Sequence, residues 1–188
     1  MLTPQDRQRL LRHARRAIAA RLEDRRLELL ASPGALAEPA AAFVTIRLGD
    51  RLRGCIGTIE DDEPLAEVVA RCAADAATRD PRFPPLPLSS LSDVSLEISV
   101  LTPFRRVDDP AETEVGRHGV MIEQGPHRAL LLPQVAGEWG WDRETFLSQT
   151  CVKAGLPADA WRTGAVVHTF EAQVFAEATP PFGPAGAQ

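Results

Sequence analysis

Tyrosine is absent from this chain of 188 residues, and Lys153 is the one lysine among 21 basic side chains. An arginine excess of this kind tracks GC-rich coding, so arginine counts carry little functional information here. No stretch approaches the roughly 18 apolar residues of a membrane-spanning helix. The opening Met-Leu-Thr-Pro-Gln-Asp-Arg lacks the basic start, apolar middle and small-residue cleavage site of a secretory leader. A soluble, cytoplasmic protein without membrane partners is therefore expected. Cys55, Cys72 and Cys151 are few, odd in number and widely spaced, which suits free thiols in a reducing compartment and no disulfide framework. There is no CxxC and no HExxH, and the four histidines are scattered, so neither a metal nor another cofactor is expected. A formal net charge of -5 argues against nucleic-acid binding, which needs a concentrated basic face.

What is present, 44% hydrophobic and 25% charged residues, suits one well-buried domain, expected over residues 1–178. Thr3, Pro4 and Asp6 read as N-cap, first helical position and capping-box acid. Leu11, Ala14, Ile18, Leu22 and Leu29 then recur at helical spacing, predicting a helix from about residue 4 to about 31. After a loop over 32–40, runs at 43–48 and 51–59 flank Gly49-Asp50, a pair suited to a tight hairpin turn. Pro64 opens a helix whose apolar stripe is Leu65, Val68, Val69, Cys72, Ala73 and Ala76, and Asp80 to Pro87 cannot continue it. In the strand that follows, Val94, Leu96, Ile98 and Val100 alternate with Ser95, Glu97 and Ser99.

The second half repeats that order. Strands at about 119–123 and 128–132 surround Gly125-Pro126, a helix starts at Asp142, and one strand is expected at about 166–176. Hairpin, helix and strand thus occur twice, over about 41–102 and 117–177, with Cys72 and Cys151 in corresponding helices. An ancient duplication accounts for this, and elements that cannot be overlaid, or two sets of strands in separate sheets, would refute it. The Pro-, Gly- and Ala-rich tail at 179–188 is expected to be disordered.

Leu52-Arg53-Gly54-Cys55-Ile56-Gly57-Thr58 is the most unusual stretch. Glycines inside a strand mark a bulge or a place where a ligand or another backbone comes close. Simple alternation puts Arg53, Cys55 and Gly57 on one face, where a guanidinium beside the thiol favours a nucleophilic thiolate. Against this, a two-residue hairpin loop sets Cys55 on the same face as Val44 and Ile46, where a thiol is inert core. Glu97, on the polar face of its strand, and His118, between Arg117 and Gly119, are the candidate acid and base. Arg82 and Phe83 sit on a stiff proline-rich connection. Pro133 places Gln134 at the mouth of a buried strand, and Trp139 and Trp141 follow.

Residues 52–58 and 80–86, Leu96 to Leu101, Leu130 to Ala136 and Cys151 to Leu156 together resemble the AMMECR domain family, in order over about residues 10–177. The resemblance implies an α+β fold of two related β-rich repeats that share one barrel-like sheet flanked by helices. In prokaryotes such domains form protein A of the AmmeMemoRadiSam system. They occur beside, or fused to, Memo proteins, which are similar to LigB-like extradiol dioxygenases, and a radical SAM enzyme. Memo-like and radical SAM partners are implied, together with a site centred on Cys55, and no reaction is named. In one reading the chain is an enzyme or small-molecule-handling protein: Cys55 reacts, Glu97 or His118 moves the proton, and Arg53, Gly54, Gly57, Arg82 and Gln134 contact the substrate. In a second it is a non-catalytic adaptor for those partners, and in a third the glycines and Cys55 solve a packing problem. A polar pocket at Cys55 favours the first, and a flat apolar patch favours the second.

Overall fold

The computed structural model describes residues 1–27 and 34–178. Among these residues the chain divides into two compact units, one formed by the described part of 1–100 with residues 173–178 and the other by Leu101–Ala172.

In the first unit, Thr3 and Asp6 close the expected capping box at the start of α1 (Pro4–Leu22). The helix stops well short of residue 31 because Asp24 takes φ 50°, a left-handed conformation that ends the turn. Leu29, predicted to lie on its apolar stripe, falls outside the described residues. A hairpin follows, β1 (Ala42–Leu48) and β2 (Arg51–Thr58), turned at Gly49 with φ 59°. Next come α2 (Leu65–Thr78) and β3 (Val94–Leu101). With the last strand, β8 (Ala172–Ala176), these form a sheet ordered β2-β1-β3-β8. Leu10, Ala14 and Ile18 of α1 join Val68, Val69, Cys72 and Ala76 of α2 and Val44, Ile46, Leu96 and Ile98 of the strands in one buried core. Alternation in β1 and β3 therefore selects the face that meets the helices, as the sequence pattern required. Arg15 ties the unit together from α1: its guanidinium donates to both Glu177 carboxylate oxygens and to the carbonyls of Leu91 and Val94.

The second unit holds β4 (Arg105–Val107), β5 (Gly119–Gln124) and β6 (His127–Leu131). Then come α3 (Pro133–Trp139), α4 (Arg143–Lys153), α5 (Ala160–Thr163) and β7 (Val166–Phe170). Its sheet is ordered β4-β7-β5-β6. Asp142 caps α4 through Thr145 N–H, as read from the sequence. The short helix α3 was not foreseen; it starts at Pro133 and ends where Gly140 adopts φ 64°. Trp139 stays exposed and stacks on Trp141, which packs against the core.

Two expectations fail here. Among the described residues the strands form two four-stranded sheets, not one barrel-like sheet, and with the two sets of strands in separate sheets the expected duplication is not upheld. The single strand expected over 166–176 is broken at Glu171, whose backbone N–H and carbonyl are both bound by Thr102. β7 and β8 on either side belong to different sheets. One ordering does recur: β1 lies between its hairpin partner β2 and the post-helix strand β3, and β5 lies likewise between β6 and β7.

Candidate functional site

The register of the first hairpin decides where Cys55 points. Leu48 pairs with Arg51 and Arg47 with Leu52, but Ile46 pairs with Gly54, so Arg53 is an extra residue in β2. Beyond this β-bulge every β2 side chain has changed face relative to a plain hairpin. Cys55 therefore opposes Thr45 instead of Val44 and turns away from the core, while Ile56 opposes Val44. The expectation that Cys55 shares a face with Val44 and Ile46 is corrected by this one inserted residue.

The two glycines flanking Cys55 have packing roles of their own. A Cβ on Gly54 would lie 2.1 Å from the Ala76 carbonyl oxygen, because the backbone of α2 presses on β2 there. A Cβ on Gly57 would lie 2.2 Å from the Phe43 ring. The space each leaves is filled by the protein itself.

Cys55 N–H donates to Asp80 Oδ2 at 2.8 Å, and its carbonyl accepts from Arg82 Nη2 at 3.3 Å. Both backbone groups face away from β1, so Thr45 and Cys55 form the narrow, non-hydrogen-bonded kind of cross-strand pair with Cα atoms about 4.5 Å apart. Thr45 Oγ1 accordingly reaches Cys55 Sγ, donating at 3.3 Å. On its other side Thr45 pairs with Glu97 of β3. Thiol, hydroxyl and carboxylate thus stand in one row across three strands, the half-buried Cys55, Thr45 and half-buried Glu97. Ser95 and Ser99, on either side of Glu97 along β3, are buried. Arg47 follows Thr45 along β1 on the same face and pairs with Ser95 and Leu52.

A second group closes the outer edge of β2. Asp80, 4% exposed, accepts from Arg82 N–H and Nε at 3.1 and 2.9 Å through Oδ1 and from Arg82 Nη2 at 2.6 Å through Oδ2. Those Arg82 hydrogen bonds, with a further one from Cys55 N–H, hold its carboxyl far below the usual carboxylate range against the opposing effect of burial. Arg53 Nη2 donates to the Pro84 carbonyl at 2.7 Å. The Arg53 and Arg82 guanidinium carbons lie 5.9 and 5.5 Å from the centre of the Phe83 ring. The two most distinctive sequence motifs, 52–58 and 80–86, are thus interlocked, and an edge strand that would otherwise offer free N–H and C=O groups at Cys55 is covered.

Of the residues singled out from sequence, Cys55 and Glu97 come together in one row, with Arg53 and Arg82 at the adjoining edge. His118 and Gln134 belong to the second unit. His118 is buried, and its Nδ1 accepts the Glu114 N–H at 3.1 Å, a local turn contact. Gln134 lies in the first turn of α3. Thr45, Arg47 and Asp80 were not singled out. Thr45 and Arg47 looked like ordinary strand polar positions, whereas Asp80 had a signal: an aspartate two residues before Arg82, after a helix end, is the pattern of an Asx turn. The other two cysteines are fully buried, and burial pushes the Cys72 thiol up to about 11. Among the described residues no three of His, Cys, Asp and Glu gather as a metal site, and no helix is long and apolar enough to cross a membrane. A cleft of about 510 Å³ in the second unit, past Arg106, Trp161 and Arg162, holds none of these candidates.

The AMMECR1 family model matches residues 11–175. A protein of Methanopyrus kandleri is 44% identical over 190 residues, covering 95% of this chain and 92% of the relative. One from Thermofilum pendens is 46% identical over 190 residues, covering 91% and 89%. The crystal structure of an uncharacterized protein from Pyrococcus horikoshii superposes with a TM-score of 0.84 at 41% identity, covering 91% of each chain. A match across nearly the whole chain, in sequence and in fold, shows that this protein belongs to the AMMECR1 family.

Proposed function

We propose that the protein is an enzyme or small-molecule-handling protein whose working site is the Cys55–Thr45–Glu97 row of the first unit. One observation carries the reading: the bulge at Arg53 turns the thiol out of the core, beside the Thr45 hydroxyl and into one row with the Glu97 carboxylate on the next strand. A plain hairpin would have buried the thiol. The row spans about 10 Å between the Cα atoms of Cys55 and Glu97, given ordinary antiparallel pair distances. A small molecule lying over Thr45 is then flanked by both reactive groups. In the step we propose, Cys55 Sγ adds to an electrophilic carbonyl carbon of the ligand and the C=O π pair moves onto the carbonyl oxygen, while the thiol proton passes to the Glu97 carboxylate, directly or through a water, and from there to that oxygen. Thr45 Oγ1–H, aimed at the sulfur, stabilises the negative charge as it develops. His118 and Gln134 have no part assigned in this step. By the company that domains of this type keep, the ligand belongs to a pathway shared with Memo-like and radical SAM proteins.

The test is alkylation of the native protein across pH, with sites identified by mass spectrometry and Cys55→Ser as control. Cys55 is expected to react in the folded state, while Cys72 and Cys151 react only on unfolding. Modification of Cys55 confined to the unfolded chain, together with a Cys55→Ser variant that still supports the pathway, would remove the nucleophile and put the adaptor reading first.

A further inference from the structure

We infer that Arg47 makes the Cys55 face selective for anionic ligands, small molecules carrying a carboxylate or phosphate next to the reactive carbon. The inference rests on the reading of Cys55 as a working thiol and adds the substrate class. In an arginine-rich chain it is the place and pairing of an arginine, not its presence, that mark a site. Regular pairing of β1 with β3 sets Arg47 on the same face as Thr45, two residues or about 7 Å along the strand. The other arginines near Cys55 are already engaged: Arg82 with Asp80 and the Cys55 carbonyl, Arg53 with the Pro84 carbonyl and the Phe83 ring.

Arg47 is different. The residue is half-buried, yet among the described residues its guanidinium has no hydrogen bond or ion pair. Its diagonal neighbour Glu97, at about the 7–8 Å usual for such positions, does not pair with it either. Partial burial weakens the hydration of a guanidinium, and nothing in the fold compensates it. A bound carboxylate or phosphate would, through the planar fork of donors that arginine presents. An anion held there puts the adjoining carbon of the same molecule over Thr45, within reach of Cys55 Sγ.

The test compares two alkylating reagents on the full-length folded protein, anionic iodoacetate and neutral iodoacetamide, read at Cys55. Their rate ratio is independent of thiol ionisation, since both consume the same thiolate. Arg47→Gln is expected to lower the iodoacetate to iodoacetamide ratio by about three- to tenfold, the effect of one partly screened charge at side-chain range. Arg47→Lys should keep most of the preference, and Arg51→Gln, at a residue that pairs with Leu48 on the other face of the hairpin, should leave the ratio unchanged. Equal ratios in wild type and Arg47→Gln, or an equal fall in Arg51→Gln, overturn the assignment while leaving Cys55 as a reactive thiol. A native Cys55 inert to both reagents overturns the assignment and the thiol reading together. Should Arg47→Gln fail to fold, the wild type decides alone: at ionic strength fixed with chloride, inorganic phosphate must slow iodoacetamide at Cys55, and no slowing overturns the inference.

Discussion

Replacing Asp80 with alanine removes the acceptor that ties β2 to the loop after α2. Four hydrogen bonds go: Cys55 N–H at 2.8 Å, and the backbone N–H, Nε and Nη2 of Arg82 at 3.1, 2.9 and 2.6 Å. The carboxylate is 2% exposed, but the Arg82 side chain is 55% exposed, so water recovers much of what the arginine loses. The bond to Cys55 spans 25 residues and leaves an edge-strand N–H without its partner. With a hydrogen bond to a charged group contributing about 1.5–3 kcal/mol and the Arg82 contacts discounted, Asp80→Ala should cost about 3 kcal/mol, and Asp80→Asn about half that. The pH dependence has a definite sign. Because the folded carboxyl titrates far below its unfolded value of about 3.9, its stabilisation is complete above that value. As pH falls, the unfolded chain takes the proton first, and the stabilisation is lost on the way down to the folded value. Urea denaturation at pH 7 and pH 3 should therefore show the gap between wild type and Asp80→Asn shrinking on acidification. An Asp80→Ala loss below about 1 kcal/mol at pH 7, or a gap that widens in acid, would refute the argument.

Three further outcomes follow from the packing. Gly54→Ala drives a methyl into the Ala76 carbonyl of α2, a backbone atom that no rotamer change can move, and should destabilise the protein by about 3 kcal/mol; unchanged thermal stability would show that α2 sits farther from β2. His13 is buried in α1 with no hydrogen-bond partner for either ring nitrogen, and burial lowers its pKa, the nearby Ala66 carbonyl offsetting this only in part. Stability should thus be intact above about pH 6.5 and decline below it as the unfolded imidazole protonates first; urea midpoints at pH 7 and 5 should differ less in His13→Leu, and an unaltered difference rules His13 out. Arg15→Met strips Glu177 of its guanidinium partner and frees two carbonyls, for an expected loss of about 2–3 kcal/mol by urea titration, with Glu177→Gln losing less.

The sequence by itself determined the parts of this protein that depend on local rules. Thr3 and Asp6 cap α1, Asp142 caps α4, and Val94, Leu96 and Ile98 face the helices, because capping and two-residue alternation act within a few residues. The glycines of β2 also told part of the story: a strand glycine marks a bulge or a close backbone, and Gly54 has both, next to the extra Arg53 and under Ala76. What no local rule contains is which side of the hairpin carries the extra residue. That was decided by the pairing of β1 with β2 and by α2 pressing on Gly54, and it moved Cys55 from the core face to the face of Thr45 and Glu97. Likewise the split of 166–176 into β7 and β8 depends on Thr102 binding both backbone groups of Glu171, a contact across 69 residues that periodicity cannot register. The family's motifs lie far apart along the chain, and only the folded chain shows why 52–58 and 80–86 go together: one carries the thiol, and the other supplies the carboxylate and guanidinium that hold its backbone in place.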